Sequence, residues 1–235
     1  MSEQETVWDS EQNHQIWMNM MNSTNFSPME ISRFFNSHVI SGKSVNSNHE
    51  LTEVDWDQLK LSLSNLVNNL NMMFGWYNEE ELKRTPERML EFYREWANSN
   101  DFHFTTFPVE DRDQMISFND ISFYSKCSHH DLPFFGQVHI SYLPDRVVGG
   151  ASKFPRLVKK YASKPGSQEV LTAEIADNIN DVLKPRFLFV RVEARHLCQE
   201  MRGIRAVGEI MKTSSLRYVP EMQDKLIHLK EEARQ

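Results

Sequence analysis

Two short segments carry most of the reactive side chains of this sequence. The first reads Cys127-Ser128-His129-His130, and the second runs from Glu193 through His196 to Cys198. A cysteine and a histidine three residues apart can turn toward one ion, although such a pair also arises by chance. In the second segment His196 and Cys198 stand two apart at the close of a strand-like run, which puts both on one face. Together the segments offer two thiolates and at least one imidazole. Three protein ligands with a fourth position open is the arrangement in which catalytic zinc activates water, lowering its pKa to about 7. The chain has only these 2 cysteines, too thin a disulfide framework for 235 residues, so metal binding or packing is their expected use.

Regular structure has to position these segments, and the hydrophobic spacing predicts it. Trp56, Leu59, Leu63, Leu66, Val67, Leu70, Met73 and Phe74 recur at three- and four-residue steps behind a capping-box-like Thr52 and Asp55. A second helix is expected from Thr85-Pro86 through Met89, Phe92, Tyr93 and Trp96, with Thr85 as cap and Pro86 in the first turn. Strands are expected over Met115 to Tyr124, Gln137 to Leu143 and Arg186 to Ala194, which are rich in β-branched and aromatic residues. Between them, Ser152 to Ala162 and Ser167 to Leu183 show helical spacing, the latter stopped by Pro185, and a last polar helix spans about Pro220 to Glu232. This order implies an α+β fold on an antiparallel sheet. Residues 1–50, rich in Asn, Ser and Met without sustained periodicity, read as a variable N-terminal extension.

Composition excludes several function classes. A net charge of -7 and a pI near 5.7 argue against a nucleic-acid partner, which needs a basic face. No apolar run approaches the roughly 20 residues that cross a bilayer, and the polar start lacks a basic segment followed by an apolar core. A cytoplasmic protein without a membrane partner is the expectation. With 40% hydrophobic residues and fifteen Phe, the chain can bury a sizeable core.

The motifs then fall into one register. Cys127-Ser128-His129-His130, followed by a hydrophobic loop and Val138 to Pro144, resembles the Cys-Glu-His-His hallmark of the GTP cyclohydrolase I family. Gly150-Ala151-Ser152-Lys153-Phe154-Pro155-Arg156 is similar to its Gly-Leu-Ser-Lys helix start, and Gln168-Glu169-Val170-Leu171-Thr172 to its Gln-Glu-Arg-Leu-Thr. His196-Leu197-Cys198 and Arg202-Gly203 match its His-x-Cys and Arg-Gly pair, and Thr85-Pro86-Glu87-Arg88 its preceding helix. The resemblance covers about residues 53 to 233.

What the resemblance implies is specific. Zinc is expected on Cys127, His130 and Cys198, with His129, His196 and Ser152 as catalytic groups around the reacting ring. Activated water attacks C8 of guanine, His129 supplies a proton as the ring opens, and His196 assists formate release. Ser152 helps the later sugar rearrangement, which ends at 7,8-dihydroneopterin triphosphate. Glu169 reads the N1–H and amine of the guanine edge, and Gln168 is placed with it as a substrate contact. Lys153, Arg156, Arg202 and Arg88 are expected to cradle the triphosphate. The implied fold is the tunnelling fold (T-fold): a four-stranded antiparallel sheet with helices on one face, paired edge to edge into a multi-subunit barrel. The implied partners are GTP and further copies of the chain, as a decamer of two pentamers with the pocket shared between neighbours. In these terms residues 51–98 are an N-terminal helical region and 99–235 the catalytic domain.

Four departures stand against the family pattern. Ser128 replaces a glutamate, Glu91 a phosphate-contacting lysine, and Val170 an arginine, while residues 209–218 carry Lys212 and Arg217 in an altered Ser/Thr segment. Lys212 or Arg217 is a candidate to restore the lost positive charge. Two alternatives follow: a zinc hydrolase of the same fold acting on a related purine nucleotide, and a non-catalytic nucleotide-binding paralogue. The intact Cys127, His129, His130, His196 and Cys198 set speaks against the second.

Overall fold

The computed structural model describes residues 53–97 and 102–233. The described residues from Trp56 onward belong to one compact unit. The expected extension over residues 1–50 and the expected cap Thr52 lie outside the described residues.

Helix α1 spans Glu53–Phe74 and α2 spans Glu79–Ala97. Gly75 ends α1 with φ of 65° and its N–H donates to Asn71 O at 2.8 Å, a left-handed stop that glycine adopts without a Cβ penalty. The second helix starts ahead of the expected Thr85-Pro86. Asn78 and Glu81 cap each other, each backbone N–H donating to the other side chain at 2.9 Å, so the capping box lies upstream and Pro86 falls inside the helix. The two helices run antiparallel: Lys60 pairs with Glu87 at 2.5 Å, Arg94 lies over the Trp56 ring, and Leu63, Val67 and Leu90 are buried.

The remaining elements are β1 (Thr106–Pro108), β2 (Ile116–Cys127), β3 (Pro133–Leu143), β4 (Val147–Gly149), α3 (Lys153–Ala162), β5 (Pro165–Gly166), α4 (Gln168–Leu183), β6 (Phe187–His196), α5 (Leu197–Glu200), β7 (Met211–Tyr218), a 3-10 segment (Pro220–Lys225) and α6 (Leu226–Glu232). The main sheet has the order β5-β2-β3-β6-β7. Its four long strands are antiparallel, and β5 joins β2 in parallel only at Lys126 and Cys127. Strands β1 and β4 form a separate ribbon. Among the described residues, no helix is long and apolar enough to cross a membrane.

Alternation along the strands sorts the sheet into two faces. Phe134, Val138, Ile140 and Tyr142 of β3 and Leu188, Val190 and Val192 of β6 meet Phe154, Leu157 and Val158 of α3 and Leu171, Ile175 and Ile179 of α4. Each such fully buried side chain stabilises by about 1.5–3 kcal/mol, which fixes both helices on this face of β3 and β6. The opposite face is not bare. Leu143, Phe187 and Phe189 pack there with Met222 and Leu229 from the C-terminal segment, so helices are not confined to the one face that the resemblance implies.

Candidate active site and metal centre

The first reactive segment is the hairpin turn between β2 and β3. Cys127 closes β2, its N–H donating to Leu132 O at 2.9 Å and its carbonyl accepting from Asp131 N–H at 2.9 Å. Asp131 completes the turn with φ of 55°. Ser128 N–H donates to Gly166 O at 3.1 Å, tying the turn to β5. Cys127 Sγ then lies 3.6 Å from His129 Nδ1 and 3.7 Å from His130 Nδ1.

The second segment is built otherwise than its spacing suggests. Strand β6 ends at His196, and Cys198 sits in the helical turn α5 rather than further along the strand, so the shared-face argument fails. Arg195 pins that turn, its Nε and Nη2 donating to Glu200 Oε1 and Oε2 at 2.7 and 2.5 Å. The outcome is nevertheless convergence: one ligand atom each from Cys127, His130 and Cys198 lie within 4.8 Å of one another. Burial, and then the neighbouring Cys127 sulfur, push the Cys198 thiol above its ordinary value, and a cation held between the two sulfurs would offset both effects by favouring the thiolate. Two soft sulfurs and one imidazole are a donor set that fits zinc.

His196 stays off this cluster. Its ring stacks on Phe134 with centroids 4.8 Å apart and planes 1° from parallel, and its Nε2 lies 2.8 Å from Gln168 Oε1. Gln168 is 1% exposed, and its Nε2 faces Val192 O, Met211 O and Thr213 Oγ1 at 3.0, 3.0 and 3.1 Å. Three acceptors around the amide nitrogen leave the oxygen for His196, whose Nε2 must therefore carry the hydrogen. Burial holds this imidazole below its ordinary value, opposed by the Glu169 carboxylate. Gln168, expected to contact substrate, thus has its amide fully engaged inside the chain.

Glu169 follows on the exposed first turn of α4, whose cap is Ser167 Oγ accepting from Val170 N–H at 3.3 Å. Its own backbone N–H and the Ser167 hydroxyl hold the carboxyl below its ordinary value, with His196 and His129 adding to the effect. Glu169 is therefore within electrostatic reach of both histidines. Arg202, exposed after α5, is close enough to act on the Cys198 thiol. At the start of α3, Ser152 and Arg156 are exposed and Lys153 is half-buried, and Arg88 is exposed on α2 with Glu80 3.4 Å away. Among the described residues, no hydrogen bond, ion pair or ring contact joins these four to the Cys–His cluster.

The departures also find places. Glu91 and Val170 are exposed. Residues 211–218 form β7, an edge strand whose polar Thr213-Ser214-Ser215 masks it in the sequence. Its two cations are committed to acids: Lys212 Nζ lies 3.2 Å from Glu193, and Arg217 Nη2 lies 2.7 Å from Asp177. Neither is spare to replace a lost phosphate contact within its own chain. The residues that spacing does not reveal are Lys126, Asp131, Arg195 and Glu200, which hold the two ligand-bearing turns. A lysine directly before Cys127 is the one feature of the sequence that could have led to any of them.

A family model described as GTP cyclohydrolase I matches residues 65–228. "GTP cyclohydrolase 1" of Aquifex aeolicus (strain VF5) is 43% identical over 143 residues, covering 60% of this chain and 78% of that protein. The protein of the same name from Hydrogenobaculum sp. (strain Y04AAS1) is 45% identical over 139 residues, 59% of this chain and 76% of its own. That of Sulfurihydrogenibium sp. (strain YO3AOP1) is 44% identical over 140 residues, 59% and 75%.

Proposed function

The chain belongs to the GTP cyclohydrolase I family, and on that premise we propose that it hydrolyses the guanine ring of GTP to formate and 7,8-dihydroneopterin triphosphate with zinc on Cys127, His130 and Cys198. The observation that carries this is the convergence of those three side chains within 4.8 Å, with His129 against Cys127. When bound, zinc supplies the Lewis acidity that activates water near neutral pH.

The chain's own residues do the rest. Glu169, ionised at the start of α4, accepts the N1–H and amine of guanine, a pair of donors that adenine lacks. His129, next in line to a metal ligand, hands a proton to the opening ring, and His196 serves formate release with its ring fixed between Phe134 and Gln168. Gln168 acts through His196 and not on the base. Ser152 assists the sugar steps, and Lys153, Arg156, Arg202 and Arg88 take the triphosphate.

Assembly is part of the proposal. Beyond the two-residue contact with β5, the outer edge of β2 has no strand partner among the described residues, and neither does that of β7. Two free edges on one sheet suit edge-to-edge pairing of copies into a barrel of the T-fold kind, with a decamer as the closed form. That pairing also supports bringing the α3 cations and Arg88 to a pocket built by neighbouring subunits. The direct test is formation of fluorescent pterin from GTP by the purified protein, abolished by a zinc chelator and restored by zinc, with the oligomer measured by light scattering. A protein that binds zinc but yields no formate from GTP would remove this function.

A further inference from the structure

Lys126 and Asp131 bracket the four residues Cys127–His130, and neither has a part in the chemistry above. The Lys126 side chain is 10% exposed and that of Asp131 is 67% exposed, yet Nζ and Oδ1 are 2.6 Å apart. The ammonium is held in place from α2: the Tyr93 hydroxyl lies 2.9 Å away, and the rings of Tyr93 and Trp96 lie 4.8 and 5.5 Å from Nζ. We propose that Lys126 is a positioning residue for the metal centre, a cation caged on α2 that holds Asp131 and so fixes the turn presenting Cys127, His129 and His130. This rests on the zinc assignment made above.

The pair is one-sided. An ion pair between two mobile surface groups contributes little, because ordering both side chains offsets the attraction. Here the cation is already ordered by two aromatic faces and a hydroxyl, and a buried ammonium needs such partners to remain charged. The movable member is Asp131, which is next to His130 and donates its N–H to Cys127 O at 2.9 Å. Any shift of Asp131 is therefore a shift of the turn whose other side carries the ligand atoms. Its φ of 55° suits glycine better than aspartate, so the carboxylate supplies something that the backbone conformation alone does not require.

That last point separates positioning from a plain turn. Asp131→Gly relaxes the backbone and deletes the carboxylate. If the turn geometry is all that matters, zinc binding is unchanged or tighter. If the ion pair positions the ligands, the zinc Kd measured by chelator competition rises by about 10–100-fold, the usual effect of losing a group that orients metal ligands, while the metal-free protein melts no lower than the parent. Lys126→Met keeps an apolar stem between Tyr93 and Trp96, and it should weaken zinc by a similar factor. The double variant should be no weaker than the worse single one, since both remove one interaction. Zinc held as tightly by Asp131→Gly as by the parent overturns the proposal. Cys198→Ala measured alongside tells the two failures apart: zinc lost there but not in Asp131→Gly removes only the positioning role, whereas zinc kept in Cys198→Ala removes the metal assignment and this inference with it.

Discussion

His196 Nε2 and Gln168 Oε1 lie 2.8 Å apart where the end of β6 meets the start of α4, so the imidazole proposed for formate release is oriented by an amide that is itself locked to β6 and β7. Gln168→Leu should leave His196 Nε2 and the carbonyls of Val192 and Met211 without their partner. Each stranded buried group costs about 1–3 kcal/mol, and a misdirected ring costs turnover about 100-fold. Zinc content should stay at the parent level. Thermal melting, metal analysis and kcat at saturating GTP check the three parts.

Adjacent histidines are expected to separate by function. Cys198→Ala should lose zinc, because it removes one of only two sulfurs in the cluster. His129→Ala should keep zinc and lose turnover by about 100- to 10,000-fold, the range for a general acid. Metal analysis of both variants decides it, and metal loss in His129→Ala would mean that His129 and His130 have exchanged roles.

Glu169 gives a pH signature. Its carboxyl is held below the ordinary 4.5 by its backbone N–H and Ser167, so the contribution of the charge is complete above that value and lost only as pH falls through the lowered one. Guanine recognition should therefore be flat from pH 7 down to about 4.5 as far as this group is concerned. Glu169→Gln should weaken GTP by roughly 2–4 kcal/mol and guanosine equally, whereas Lys153→Ala should matter for GTP only, and less at high salt. Equilibrium binding of both ligands at two salt concentrations separates base recognition from phosphate recognition.

Strands β3 and β6 approach closely at Gly136, where an added Cβ would stand 1.9 Å from Glu193 O. Because the obstacle is backbone, no side chain can give way. Gly136→Ala should destabilise by about 3 kcal/mol or more, through forced separation of the strands that carry both ligand turns. Denaturant unfolding measures it.

The long strands and helices were legible because burial imposes periods on them: Phe134 to Tyr142 and Leu171 to Ile179 display their faces directly. Strand β7 was not, since its residues are polar and its pairing with β6 is set by backbone hydrogen bonds rather than by hydrophobic spacing. The start of α2 was misread because Thr85-Pro86 imitates a helix entry, while Asn78 and Glu81, at either end of an acidic run, do the capping. In the site, motif spacing brought together Cys127, Cys198 and an imidazole, and the family resemblance named His130 as that imidazole. Spacing did not show that Cys198 reaches them by a helical turn held by Arg195 and Glu200, nor that Gln168 faces inward, the latter because it depends on contacts remote in sequence.

Cys127 and Cys198 stand 71 positions apart in the chain, with β3, α3, α4 and β6 between them. An ion shared by these sulfurs ties that whole stretch into a closed ring, as a cross-link does. On the polymer scale used for disulfides, a ring of this length restricts the unfolded chain by about 4 kcal/mol, less whatever affinity the unfolded sulfurs keep for the metal. The melting temperature should therefore climb with free zinc concentration, and metal starvation should shorten the lifetime of the folded protein as well as silence it.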